Sequence, residues 1–280
     1  MATAIDWLTQ PLTYGFMQRG MLASILVGTV CAVVGTYVVL RGMAFFGDAL
    51  AHAILPGIAL GYLIHGSGAT LFWWALGTAV LAALGIGAVS RHAQVREDTA
   101  IGIIFAGMFA LGIALISTVR TYAVDLSHFL FGDVLGVSGT SLILIAIFGG
   151  AVLLAIAAFF KEFMTLSFDP VLAATLRLPV NLLNNLLLVL IAVTVAVSLQ
   201  TVGVALMVAM LVTPAATAYL LTRRLGTMML AAAGIATVSS VAGLYFSYYW
   251  SIASGAAIVL TATFIFAFVL MAKRLLSGAR

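Results

Sequence analysis

Of the 280 residues in the chain, 64% are hydrophobic and 7% charged, and the mean hydropathy is +1.26. A soluble fold of this size cannot hide so much apolar surface, so the composition excludes a water-soluble domain and predicts an all-α, polytopic membrane bundle. The net charge of +4 carries no basic block of the kind nucleic acids recruit, and the single cysteine, Cys31, excludes an internal disulfide.

The first fifteen residues hold Asp6 but no Lys or Arg. They lack the basic start of a cleaved signal peptide, and Trp7 suits an interfacial anchor. Apolar windows long enough to span follow at about 16–40, 43–64, 72–90, 99–118, 139–160, 182–199, 202–222, 228–248 and 255–272. They predict eight or nine transmembrane helices in one domain over residues 1–280, with the count open by one because Gly42 and Gly203 mark broken or re-entrant stretches. Under nine spans, Arg41, Arg91, Arg96, Lys161, Arg177, Arg223, Arg224, Lys273, Arg274 and Arg280 share one side and only Arg19 and Arg120 lie opposite. The positive-inside rule makes that side cytoplasmic, with the C-terminus inside and His65, Asp125, His128 and Asp133 at or near the external face.

The second window holds Asp48 and His52, four residues apart and so on one helix face. An ionisable pair in hydrocarbon costs several kcal/mol or more unless it faces a cavity, a partner or an ion. Counted from residue 43, His52 sits near the midplane and Asp48 one turn closer to the cytoplasm. A carboxylate and a neutral imidazole are ordinary ligands for a divalent transition metal, whose charge also offsets the burial of Asp48; a hydrogen-bonded pair or a proton relay is the competing reading. Two ligands are too few for a selective site. Either carbonyls, water and other side chains complete it, or a symmetric dimer brings two pairs together. Pro56 and Gly57, one turn on, either loosen the helix and free carbonyls or kink it for packing, while Gly57 and Gly61 at four-residue spacing suit closely packed helices.

Residues 161–180, between the fifth and sixth windows, are too charged and too broken to span. Asp169 as N-cap and Pro170 as first helical residue predict a two-turn helix over Val171 to Arg177, lying on the cytoplasmic surface and stopped by Pro179. Such a helix suits a partner's groove, or else rests on lipid headgroups. The only lysines, Lys161 and Lys273, follow Phe160 and Ala272, so neither belongs to a glycine-rich phosphate loop. Any ATP is bound by another chain.

Several ordered motifs together resemble the permease subunit of bacterial ATP-binding-cassette importers for manganese, zinc or related divalent metals. They are Arg41-Gly-Met-Ala-Phe-Phe-Gly47-Asp48-Ala-Leu-Ala-His52-Ala-Ile-Leu-Pro56-Gly57, Glu97-Asp98-Thr-Ala-Ile-Gly102-Ile-Ile-Phe105, Asp125-Leu-Ser-His128-Phe-Leu-Phe-Gly132-Asp133, Phe168-Asp169-Pro170, Gln200-Thr-Val-Gly203 and Thr213-Pro214-Ala-Ala-Thr-Ala218. The resemblance implies a multi-pass protein of the bacterial plasma membrane, a homodimer carrying two cytoplasmic ATP-binding subunits and served from outside by a metal-binding receptor protein. It implies no permanent cofactor. Asp48 and His52 would be the metal contacts of the path, and Phe168, Asp169, Pro170, Val171, Leu172 and Arg177 the coupling element to the ATPase. The Ile-Leu-Pro56-Gly57 ending is more like the manganese branch than the zinc or iron ones. Where the family usually carries an acidic residue before the last span, this chain has Ser251.

Asp125, His128 and Asp133 are positioned to attract a cation or to contact the receptor protein. Gln200 and Pro214 either shape the pore or serve as an interhelical hydrogen bond and a tolerated kink. A proton- or ion-coupled secondary transporter using Asp48 and His52 is the second hypothesis, although its expected inverted repeat is not evident. An intramembrane protease is excluded by Phe45 in Phe45-Phe46-Gly47-Asp48, where Gly-x-Gly-Asp would be required, and by the lack of His-Glu-x-x-His.

Overall fold

A computed structural model describes residues 9–66, 70–118 and 134–278, with side chains to residue 275. Among them there are nine helical stretches long and apolar enough to cross a membrane, and no strands. The chain enters through a 3-10 turn, Pro11–Thr13, into α1 (Gly15–Leu40). The second span is a helix pair, α2 (Phe46–Ala53) and α3 (Leu55–His65), parted at Ile54. Then come α4 (Thr70–His92), α5 (Glu97–Ser117) and α6 (Gly139–Ala158). Two short helices, α7 (Phe160–Phe168) and α8 (Pro170–Thr175), precede α9 (Val180–Val202), α10 (Val204–Leu221), α11 (Leu225–Trp250) and α12 (Ser254–Gly278).

Each predicted window became a span. The ambiguity at Gly203 resolves into a sharp turn, because only that residue, at φ 79°, separates α9 from α10. Glycine adopts such a conformation without the Cβ clash that other residues meet.

α1 is the axis of the bundle, packed on α6, α9, α10 and α11, while the α2–α3 span lies against α4, α5, α9 and α10. In lipid, apolar burial drives little helix association, so dispersion and close backbone approach must supply it. Gly35 of α1 is one such approach: a Cβ there would lie 1.8 Å from the Leu211 carbonyl oxygen of α10. The α5, α6 and α12 spans are the least buried and form the outer wall.

Polar contacts gather the cationic helix ends predicted to be cytoplasmic. Arg41 joins Glu97 and Asn184, Arg91 donates to Asn185, and Lys273 donates to the Leu220 carbonyl at 2.9 Å.

One expectation for the segment over 161–180 needs correction. Its first half does not span and forms the short helix α7, anchored by the buried side chains of Phe163 and Leu166. Its second half ends as a helix at Thr175, short of Arg177. Arg177 takes the left-handed conformation (φ 56°), and its N–H donates to Ala174 O while that of Leu178 donates to Ala173 O, a reversal that closes the helix before Pro179 is reached.

Candidate metal path

Asp48 and His52 both lie on α2, in its first and last turns. Since α2 begins at Phe46, three residues later than expected, His52 is the seventh residue of the 20-residue span and sits on the Phe46 side of its middle. The pair is less enclosed than a core ion pair, with side chains 47% and 27% exposed respectively. His52 Nε2 and Asp48 Oδ1 are 3.7 Å apart, beyond hydrogen-bonding distance. An ion at about 2.1 Å from both atoms would see them roughly 120° apart, so the gap is the right width for two ligands of one metal.

The imidazole is held by packing. Phe105 and Phe109, one turn apart on α5, meet its ring edge-on at centroid distances of 6.0 and 5.5 Å and stack on each other at 5.7 Å. His52 Nδ1 is buried against this wall with no hydrogen-bond partner. A metal-binding histidine ordinarily donates its second nitrogen to an acceptor, so the described residues supply half of a finished site. Among them no three His, Cys, Asp or Glu side chains come together, which leaves Asp48 and His52 as the only such ligands gathered here.

Pro56 has no N–H to continue the helical ladder to the His52 carbonyl, and at the break the Ile54 N–H turns to the His52 and Leu50 carbonyls instead. The residue after Pro56 serves packing: a Cβ on Gly57 would fall 2.0 Å from Thr78 Oγ1 and 2.5 Å from the Trp74 carbonyl oxygen, so α3 rides directly on α4.

At the end of the bundle where Arg41 and Glu97 lie, Asp169 Oδ1 accepts from the N–H groups of Val171 and Leu172 at 3.0 and 2.9 Å, the N-cap read from sequence. Phe168, Val171, Leu172 and Leu176 stand largely exposed on and beside this short helix, an apolar knuckle that no described residue covers. Gln200 is exposed in the last turn of α9 and Pro214 is buried within α10. Ser251 caps α11 in the left-handed conformation (φ 52°), where Ser247 Oγ donates to the Ile252 carbonyl. Asp125, His128 and Asp133 lie outside the described residues.

Sequence reasoning missed the Phe105–Phe109 wall and the Arg41–Glu97–Asn184 cluster. Two phenylalanines at helical spacing read as ordinary packing, and an acid opening a helix reads as dipole compensation. The usable signal was Asn184-Asn185, adjacent amides near the start of a mostly apolar helix.

Residues 13–273 match the family described as ABC 3 transport family. The manganese transport system membrane protein MntC of Halalkalibacterium halodurans is 47% identical over 267 residues, covering 95% of this chain and 90% of that one. The chelated iron transport system membrane protein YfeD of Yersinia pestis is 38% identical over 264 residues, covering 94% and 88%. Among solved structures, PsaBC from Streptococcus pneumoniae in complex with Fab superposes with a TM-score of 0.81 at 37% identity, covering 95% of both chains.

Proposed function

The chain belongs to the ABC 3 transport family, and from that premise we propose that it is the membrane permease of an ATP-driven importer of divalent transition-metal ions, with manganese the preferred cargo and zinc or iron the alternatives. The observation that carries the reading is the Asp48–His52 pair: a carboxylate and an imidazole set 3.7 Å apart without a hydrogen bond, inside a membrane span. Family membership argues against the ion-coupled secondary transporter.

The working unit is two copies of this chain with two cytoplasmic ATP-binding subunits and an external metal-binding receptor, in the bacterial plasma membrane with the C-terminus inside. Each copy brings Asp48 and His52 to the path, and the second pair, or backbone carbonyls, water and other side chains, completes the ion's coordination. Sparse ligation suits a carrier, because an ion bound by few groups can leave. The exposed knuckle of Phe168, Val171, Leu172 and Leu176 seats in the ATPase, and nucleotide binding there shifts the dimer between outward and inward openings. Asp125, His128 and Asp133 meet the arriving cation or the receptor; Gln200 and Pro214 shape the pore.

A nitrogen and oxygen pair binds zinc more tightly than manganese, so preference for manganese must come from geometry and from the receptor. The test is ATP-dependent uptake of radioactive manganese into proteoliposomes containing permease, ATPase and receptor, with unlabelled manganese, zinc or iron as competitor. Manganese should compete best. Absence of ATP-dependent uptake would sink the importer reading, and stronger competition by zinc or iron would move the cargo.

A further inference from the structure

Three helices of the bundle meet at Arg41. The residue caps α1 and opens the short link to α2, seven residues before Asp48. Its Nη2 donates to Glu97 Oε1 at 2.6 Å and to Asn184 Oδ1 at 2.5 Å. Glu97 is the first residue of α5, the helix whose phenylalanines hold the His52 ring. Asn184 lies early in α9, which follows α8 after a four-residue link. One guanidinium therefore ties the end of α1, where the link into the span carrying the pair begins, to the helix walling that pair and to the helix that continues from the coupling segment.

The other arm of that guanidinium is idle. Arg41 Nη1 is buried with no hydrogen-bond partner, in a side chain only 13% exposed. Leaving a charged donor buried and unpaired is costly, so this arm is poised for an acceptor. Ser167 Oγ, at the end of α7 just before Phe168 and Asp169, is also buried and unpaired. Both residues line one cavity of about 490 Å³, together with Glu97, Pro170 and Asn184. A hydroxyl accepts where a guanidinium still has N–H groups to give.

We propose that Arg41 is a latch between the coupling segment and the metal path. When the ATPase presses α7 and α8 toward α1, the cavity closes and Arg41 Nη1 donates to Ser167 Oγ. The engaged arm, on Glu97 and Asn184, carries that displacement to α5 and to the link into α2. Arg41 touches no cargo and acts as a positioning residue. The proposal rests on the importer reading.

The experiment compares wild type, Ser167→Ala, Arg41→Lys and the double variant as full transporters in proteoliposomes, measuring manganese taken up per ATP hydrolysed and ATPase co-purification. Ser167→Ala should lower the ratio of metal to ATP by roughly fivefold with the ATPase still bound and hydrolysing, a change within the usual reach of residues that transmit coupling. In the Arg41→Lys background, where the forked second arm is gone, Ser167→Ala should add nothing further. An unchanged ratio in Ser167→Ala, or independent additive losses in the double variant, would overturn the latch. Should Arg41→Lys fail to assemble, the Ser167→Ala ratio decides alone. Failure of the wild type to accumulate manganese would instead remove the importer reading beneath it.

Discussion

Replacing Asp48 by Asn keeps the size and polarity of the side chain and removes only its charge. In the apo chain the loss should be mild, since Asp48 makes no hydrogen bond to His52 at 3.7 Å and its side chain is 47% exposed. With a divalent ion present the arithmetic changes. Two unit charges at 4 Å interact by about 1 kcal/mol in bulk water and about 4 kcal/mol at an effective dielectric near 20, and a divalent ion doubles both figures. Because the pair is partly exposed, the lower figure is the safer one. Asp48→Asn should therefore cost at least about 2 kcal/mol of manganese affinity, roughly thirtyfold. A homodimer loses both carboxylates together. If the two copies share one ion the penalty doubles to about 4 kcal/mol, roughly a thousandfold, whereas separate ions leave it near thirtyfold. Equilibrium dialysis of manganese against the purified dimer, alongside uptake kinetics, reads both cases from one variant. Affinity and uptake within about threefold of wild type would refute the assignment of Asp48 to the metal path.

Two further substitutions probe the scaffold. Asp169→Ala removes an N-cap worth about 1 kcal/mol from a six-residue helix whose only buried side chain is Ala173, so hydrogen exchange over residues 170–175 should quicken and metal moved per ATP should fall; unchanged protection would contradict the capping argument. Gly35→Ala would set a methyl group 1.8 Å from the Leu211 carbonyl oxygen, forcing α1 and α10 apart at a cost of about 1–3 kcal/mol or more. The detergent-solubilised permease should melt several degrees lower, and a melting temperature equal to wild type would show that the helices part freely.

Length and hydropathy made the nine spans legible, because a membrane leaves a helix few alternatives. Asp48 and His52 were legible for the same reason: an ionisable pair in hydrocarbon announces itself. Depth was read less well. The residues from Gly42 to Phe45 are nearly as apolar as the helix they precede, so hydropathy could not mark the start at Phe46. The Phe105–Phe109 wall was hidden because aromatic residues look alike whether they face lipid or another side chain. The end of α8 was misread at Arg177, where a left-handed closure forms on a residue that is neither Gly nor Asn, the usual signatures of that geometry.

The single-residue turn at Gly203 has a mechanical meaning. A loop would absorb strain between neighbouring spans, but α9 and α10 are joined with no slack at all. α9 is an unbroken rod from Val180, beside α8, to Val202 at the far end of the bundle, and α10 returns from there to pack on α1 and α2. Through Gly203 the two rods are held end to end, so α9 cannot shift along its axis without moving the end of α10 joined to it, and α10 packs on the helix that carries Asp48 and His52.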